Sequence, residues 1–385
     1  MTVINKTKPI SVMLFIDWFY PAYKAGGPIK SVNNIVMSLK DPLRFTIVTS
    51  NQDVDLTILD VPEDVMIKNN GFDIIYLSSN FQNAKKFKEL YNEIKPDIIY
   101  YNTPFSFKYT LLPYAVFKNF PDLKHVIAPR GAFSESCLAQ KSFKKKIFLL
   151  LANLFFYKKD IIWHATSDIE KQEIARNIKN QVITRIATTP SSPLDENVKA
   201  PTKEKGKLRL TFLSRIQGIK NLLYILEILT ETNSLSSVKL DIYGPIEEDF
   251  YWSECLQLIN KNSNITYKGE LTPDEVKNVI GINHFMVLPT KNENFGHVIT
   301  EFISRGIPVI ISDRTPWLDL EKEGVGYALS LDAKEKWIQV LEHLIEIGDE
   351  QYQSMSENCK NYARKNIVDP QIIQDNLSLF TGSYN

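Results

Sequence analysis

Along the chain, short runs of apolar and β-branched residues alternate with stretches whose apolar positions recur every three or four residues. The runs SVMLFI (11–16), RFTIVTS (44–50), DIIYLS (73–78), DIIYYN (97–102), KHVIAP (124–129) and DIIWHATS (160–167) are almost continuously apolar. That is the texture of strands buried on both faces. GPIKSVNNIVMSLK and AKKFKELYNEIK lie between them with helical spacing. Strands of this kind joined by helical crossovers predict a parallel sheet covered by helices.

After Thr188 the pattern breaks. TTPSSPLDENVKAPTKEKGK is polar, interrupted by proline and without a period, and it predicts a linker. A second series follows: LRLTFLSR (208–215), VKLDIYG (238–244), NITYKG (264–269), HFMVLPT (284–290) and PVIISD (308–313), with KNLLYILEILTET and TPDEVKNVIGIN among the helical stretches between them. KEKWIQVLEHLIEI and DPQIIQDNLSLF close the chain. The expected fold is α/β, two Rossmann-like doubly wound parallel-sheet domains facing across a cleft. They are placed at residues 1–190 and 208–365, with a linker at 191–207 and a last helix at 366–385 that could pack back on the first domain.

Length and composition agree with this division. A chain of 385 residues exceeds the size at which a single core stops growing. Lys+Arg and Asp+Glu are 45 each, so no global charge recommends a nucleic acid, and electrostatic recognition must be local. Cys137, Cys255 and Cys359 are too few and too scattered for a disulfide framework or a zinc site, which fits a reducing compartment. The N-terminal MTVINKTKPISVMLFIDWFYP has an apolar run cut short by Asp17 and reads as a first strand, not a signal peptide. No run approaches the ~20 apolar residues that span a bilayer. The expected location is cytoplasmic, or peripheral on the inner face of the plasma membrane. KSFKKKIFLLLANLFFYKKD (141–160) leaves two readings open. It could lie on anionic lipid as a basic amphipathic helix, or pack one face on the first sheet with its lysines in solvent.

Open parallel sheets bind ligands beyond the carboxyl ends of their strands, so the loops that follow strands hold the candidates. In FYPAYKAGGPIKSVNNIV, Gly26 and Gly27 precede a helix and would let the backbone approach an anion; a tight turn with nothing bound is the alternative. In FLSRIQGIKNLLYIL, Arg215 and Lys220 flank a short loop and could clamp a diphosphate, or be two solvated cations. In LPTKNENFGHVITEFISRGIPVIISDRTPW, Glu293 sits before a helix opened by Gly296, and Glu301 lies in its second turn. Free carboxylates accept hydrogen bonds from adjacent hydroxyls of a sugar or ribose, and the amides near Phe295 and Gly296 would face the same ligand. A solvated cap and a solvated face are the alternative. His297 is as well explained by packing or solvent. Asp53–Asp55 has the spacing of a metal-binding Asp-x-Asp but lies in a polar stretch and is discounted.

Taken in order, these motifs resemble the retaining glycosyltransferases of family 4, which have the GT-B architecture. The resemblance is carried by LSRIQGIKNL, GELTPDEV, VLPTKNENFGHVITEFISRGIPVIISDRTPW and FYPAYKAGGP, with APRGAF and HATSDIEKQEI, and runs from about Phe15 to Gly326. It implies that Glu301 accepts the ribose hydroxyls of a nucleotide sugar and that Glu293 binds the sugar, helped by backbone near Asn294, Phe295 and Gly296. It implies that Arg215 and Lys220 neutralise the departing diphosphate, approached also by Gly26 and Gly27. Arg215, Lys220 and Glu293 are thus the catalytic candidates, with no metal and no cofactor. Arg130, Gly131 and His164 are candidates for an acceptor site or cleft wall, with a structural role the first reading of His164. Two positions depart from the family: Asn102-Thr103 stand where a histidine is common, and Pro190-Ser191-Ser192 replace a Pro-Asn-Gly. They put contacts from the first domain to the donor sugar in doubt.

The implied function is metal-independent, retaining transfer of a sugar from a UDP- or GDP-sugar to a glycan or polyprenyl-linked acceptor in surface polysaccharide synthesis. Nucleic acid is not expected as a partner. A sugar-nucleotide epimerase of the same architecture and a non-catalytic sugar-nucleotide-binding scaffold are the alternatives. Specificity is expected in loops such as 131–146 and 245–252.

Overall fold

The computed structural model describes residues 9–139, 142–157, 160–179, 182–191 and 199–382. The chain divides into two compact units, residues 1–190 with 370–385 (unit 1) and residues 191–369 (unit 2).

Unit 1 is built on β1 (Ile10–Phe15), β2 (Leu43–Ser50), β3 (Met66–Asn69), β4 (Phe72–Leu77), β5 (Ile98–Tyr101), β6 (Lys124–Ile127), β7 (Ile161–Ala165) and β8 (Ile183–Ile186). They lie in the order β3-β4-β2-β1-β5-β6-β7-β8, parallel except for the antiparallel pair of β3 with β4. Alternation in β1 sends Val12 and Leu14 to one core with Val32 and Val36 of the helix Gly27–Leu39, and Met13 and Phe15 to the other with Phe87. Two cores on one sheet are why its strands read as unbroken apolar runs. The helix Pro370–Thr381 returns to this unit, placing Phe380 edge-on to Phe45 (centroids 5.7 Å) and donating from Asn376 Nδ2 to the carbonyl of Thr188 (2.7 Å).

Unit 2 is built on β9 (Leu208–Leu213), β10 (Val238–Tyr243), β11 (Ile265–Tyr267), β12 (Phe285–Leu288), β13 (Val309–Ser312) and β14 (Gly326–Leu329), in the order β11-β10-β9-β12-β13-β14. Every pairing in it is parallel. The strand order reverses between β9 and β12 here, and between β1 and β5 in unit 1. Those are the points at which such sheets form a crevice.

The described part of the expected linker is not free chain. Lys203 is buried in unit 2, its ammonium held by the carbonyls of Glu204, Ile345 and Ile347 and its pKa lowered by that burial. Gly206 N donates to the carbonyl of Ile345 (2.8 Å). Residues 192–198, including Ser192 of the departing Pro-Ser-Ser, lie outside the described residues. So do Lys141, Lys158 and Lys159 of the basic segment. Among the described residues no helix is long and apolar enough to cross a membrane.

Two buried histidines give each unit a pH-sensitive element. His164 Nε2 donates to the carbonyl of Ala187 (2.8 Å), so its Nδ1 accepts from the Tyr100 hydroxyl (2.8 Å). His284 Nε2 donates to the carbonyl of Thr202 (3.2 Å) while its Nδ1 accepts from Arg209 N (3.1 Å). Burial, then the nearby Arg130 or Arg209 guanidinium, lowers their pKa to about 3 and about 4, against 6.5 ordinarily. Below pH 6.5 the unfolded chain takes up protons that the folded chain refuses, so stability is full above that value and falls on acidification toward the folded pKa. Denaturation midpoints should therefore drop between about pH 7 and about pH 5; midpoints that stay level in His164→Gln and wild type alike would contradict this.

Candidate functional site

Because β9 and β12 are neighbours, the loops leaving their carboxyl ends meet. Lys291 N and Thr290 Oγ1 both donate to the carbonyl of Ile219, at 2.8 and 3.1 Å. This stitching brings Lys220 Nζ to 2.6 Å from Glu293 Oε2, with the side chains only 13% and 16% exposed. The other carboxylate oxygen of Glu293 accepts from Asn294 N (3.1 Å). Lys220 and Glu293, 73 residues apart, thus form a largely buried ion pair at the reversal point.

Arg215 opens the same β9 loop. Its Nη1 reaches both oxygens of Glu247, at 3.0 and 3.3 Å. Among the described residues, Nε and Nη2 of Arg215 make no hydrogen bond. That leaves the edge of the guanidinium with two parallel N–H groups, the edge that fits two oxygens of one phosphate. Glu248 anchors the loop from the same side by accepting from Gly218 N (3.0 Å), and the Tyr251 hydroxyl accepts from Leu223 N (2.8 Å). Glu247 and Glu248 lie in the 245–252 loop expected to shape specificity, but the sequence does not single them out as site residues. Their loop, GPIEEDF, also leaves a strand end, that of β10, and its acidic pair beside a cationic loop was the available signal.

The helix His297–Ser304 begins one residue after the expected start, with Gly296 as its cap at φ +79°. A Cβ there would meet Ile299 Cδ1 at 2.7 Å and Glu293 Cγ at 3.1 Å, so glycine allows Glu293 to sit close beside the helix start. Phe295 is buried against Trp317, whose indole donates to the Phe295 carbonyl (2.6 Å), and its ring also contacts His297 (4.8 Å). Ile299, Phe302 and Ile303 face the core, and Glu301 is half-buried between the buried Thr300 and Phe302. Arg215, Lys220, Glu293, Asn294, Phe295, Gly296 and Glu301 all belong to unit 2.

Gly26 and Gly27 belong to unit 1, in the loop between β1 and the helix Gly27–Leu39. Gly26 has φ +67° with open space where a Cβ would point, so the backbone conformation is what calls for glycine. The helices after Gly26, Asn221 and Gly296 all begin at a residue of positive φ with no side-chain cap, whereas Asn83, Ser167 and Thr272 cap their helices. Uncapped first turns keep backbone donors available to an anion, although in the helix after Asn221 the Tyr251 hydroxyl already takes Leu223 N. Asp53 Oδ2 accepts from Tyr23 N (3.1 Å), and Asp55 pairs with Lys24 (2.5 Å), so this aspartate pair pins the glycine loop. Among the described residues no group of three His, Cys, Asp or Glu side chains could hold a metal ion.

The remaining unit 1 candidates form a framework. Arg130, at φ +55°, donates to Asn102 Oδ1 (3.1 Å), Thr189 Oγ1 (3.0 Å) and the Tyr100 hydroxyl (2.7 Å). Gly131 N donates to the buried Glu170 (2.6 Å). His164 has no exposed surface and both ring nitrogens engaged, so its role is structural and the cleft-wall alternative is corrected: it fixes β7 to the residue after β8. Asn102, at the end of β5, keeps a buried Nδ2 with no hydrogen-bond partner among the described residues. Asp17, at the end of β1, accepts from Ser106 Oγ (2.6 Å) and has its pKa raised by burial.

Residues 195–366 match the family model described as glycosyl transferases group 1. A relative from Klebsiella pneumoniae, described as an uncharacterized 41.2 kDa protein in the cps region, is 22% identical over 311 residues, which is 78% of this chain and 77% of the relative. Alr3699/HepE of Anabaena, solved with UDP and glucose, superposes with a TM-score of 0.72 at 14% identity over 97% of this chain and 100% of that one. Sucrose-phosphate synthase of Thermosynechococcus elongatus gives 0.73, at 14% identity and the same coverage. WaaG, a glycosyltransferase involved in lipopolysaccharide biosynthesis, gives 0.68, again at 14% identity and with that coverage. The stretch 195–366, within unit 2, thus resembles a glycosyl transferases group 1 domain, and the chain has the GT-B fold of WaaG and the other structures it superposes on.

Proposed function

We propose that the chain transfers a sugar from a nucleoside diphosphate sugar, without a metal and with retention at the anomeric carbon, to a glycan or lipid-linked acceptor of a surface polysaccharide. The observation that carries this reading lies at the reversal point: the Lys220–Glu293 pair at 2.6 Å, with Arg215 on the same β9 loop keeping its Nε–Nη2 edge without a hydrogen bond among the described residues. Breaking the bond between the anomeric carbon and the phosphate oxygen leaves both electrons on the diphosphate. Arg215 and Lys220 stabilise that charge as it develops, the task a divalent cation would otherwise perform. Glu293 holds sugar hydroxyls and Glu301 holds ribose hydroxyls, each as an acceptor. The acceptor hydroxyl forms the new bond to the same face and yields its proton to the departing phosphate oxygen.

Support for the donor class comes from Alr3699/HepE, solved with UDP-glucose and with UDP. Support for the acceptor class comes from WaaG and from the cps-region relative. Thermal shift with UDP- and GDP-sugars, followed by assay of nucleotide release in chelator, tests the proposal. A raised Tm with one of them and slow release of free nucleoside diphosphate are expected. No shift with any of them, interconversion of the sugar without release, or release only after a divalent ion is added would overturn it.

A further inference from the structure

The segment that left two readings open carries two apolar faces. In the helix Ser142–Leu151 and the π-helical turn Ala152–Phe156 that continues it, Leu149 and Ala152 are buried in the core of unit 1, and Phe148 packs against Phe105 (centroids 5.1 Å). Ile147, Leu150, Leu151 and Leu154 are 43%, 52%, 46% and 66% exposed. Their spacing of i, i+3, i+4 and i+7 makes one continuous stripe. A helix lying on a soluble domain ordinarily turns polar residues outward. Here the outward stripe is aliphatic for about 10 Å of axis, far short of a bilayer core.

Charge identifies what covers the stripe. Between Glu135 and Asp160 the sequence holds six lysines (141, 144, 145, 146, 158 and 159) and no acidic residue. Lys145 turns inward, its ammonium on the Cys137 carbonyl and 5.8 Å from the Phe105 ring centroid. Two copies of so basic a segment repel one another, whereas an anionic surface neutralises it. We propose that this helix is a lipid-docking element: Ile147, Leu150, Leu151 and Leu154 enter the boundary between headgroups and acyl chains of an anionic bilayer, and the segment's lysine charge supplies the attraction to lipid phosphates. This proposal is independent of the donor site, because its readout is lipid binding.

Sedimentation of the full chain with vesicles of phosphatidylcholine, with and without phosphatidylglycerol, tests it. The chain should sediment with the anionic vesicles, less so at high salt, and only weakly with phosphatidylcholine alone. Leu150→Glu with Leu154→Glu should weaken that binding roughly 100-fold, each leucine that leaves water being worth about tenfold. Both positions are exposed, so Tm and nucleotide-sugar turnover in detergent-free buffer should match wild type. Failure of the wild type to sediment with anionic vesicles would overturn the proposal, as would undiminished binding by the double variant. So would a wild-type dimer in light scattering that the double variant abolishes without any effect on lipid, since a second copy would then cover the stripe.

Discussion

Replacing Lys220 with methionine should lower turnover of the nucleotide sugar by about 10²–10³, the usual loss when one preorganised donor to a developing negative charge is removed. The same change acts on the fold. Glu293 is 16% exposed and would lose the ammonium 2.6 Å away, and stranding one member of a buried pair costs about 3 kcal/mol or more. The two effects separate with a second variant. Lys220→Met combined with Glu293→Gln leaves no unpaired charge, so it should regain thermal stability while turnover stays low. Arg215 differs, because its pair with Glu247 is 40% and 31% exposed and contributes little to stability. Arg215→Ala should therefore lose activity at nearly unchanged Tm. Initial rates of nucleotide release alongside calorimetric melting read both quantities, and wild-type turnover from a folded Lys220→Met chain would remove Lys220 from the mechanism.

The second large effect is expected from one methyl group. Gly244, the residue after β10, has φ +139°, and a Cβ there would lie 1.9 Å from the carbonyl oxygen of Ser214. Ser214 immediately precedes Arg215, so its backbone cannot yield without moving the guanidinium. Gly244→Ala should destabilise unit 2 by about 3–5 kcal/mol, combining backbone strain with overpacking. Any folded fraction should bind the nucleotide sugar more weakly. Gly206→Ala is the matched control, with φ +81° and open space at the Cβ position; it should cost about 1 kcal/mol from conformation alone. Equal melting temperatures for the two variants would show that the β9 and β10 loops are not held as tightly as the contact implies.

What was legible in the sequence follows burial. Strands such as β2 and β12 are buried along almost their whole length, so their residues have to be apolar and announce themselves. The strands not anticipated, β3, β8 and β14, are sheet edges with exposed or half-buried positions, and a four-residue edge strand leaves almost no periodic signal. Arg215, Lys220 and Glu293 stand out as candidates because they follow strands, a rule that needs strand positions but not strand order. Their partners needed the order. Nothing in the residue string says that Arg215 meets Glu247 while Lys220 meets Glu293, since that depends on β9 lying between β10 and β12. Burial of a polar group was harder to settle: WHATS leaves His164 open to a structural or a cleft-lining role, and only the structure shows both its nitrogens satisfied by Tyr100 and Ala187. The proline-bearing stretch after Thr188 reads as linker, yet Lys203 within it is only 1% exposed and satisfied by three carbonyls.

The helix Pro370–Thr381 bears on how the protein is made. A nascent chain that has emerged through residue 369 holds every residue of unit 2. It still lacks Leu379 and Phe380, which cover Phe45 and Tyr100 on the first sheet. The half of the molecule synthesised first is thus completed last, and until residues 370–381 have emerged an aromatic face of that sheet stands open to chaperones.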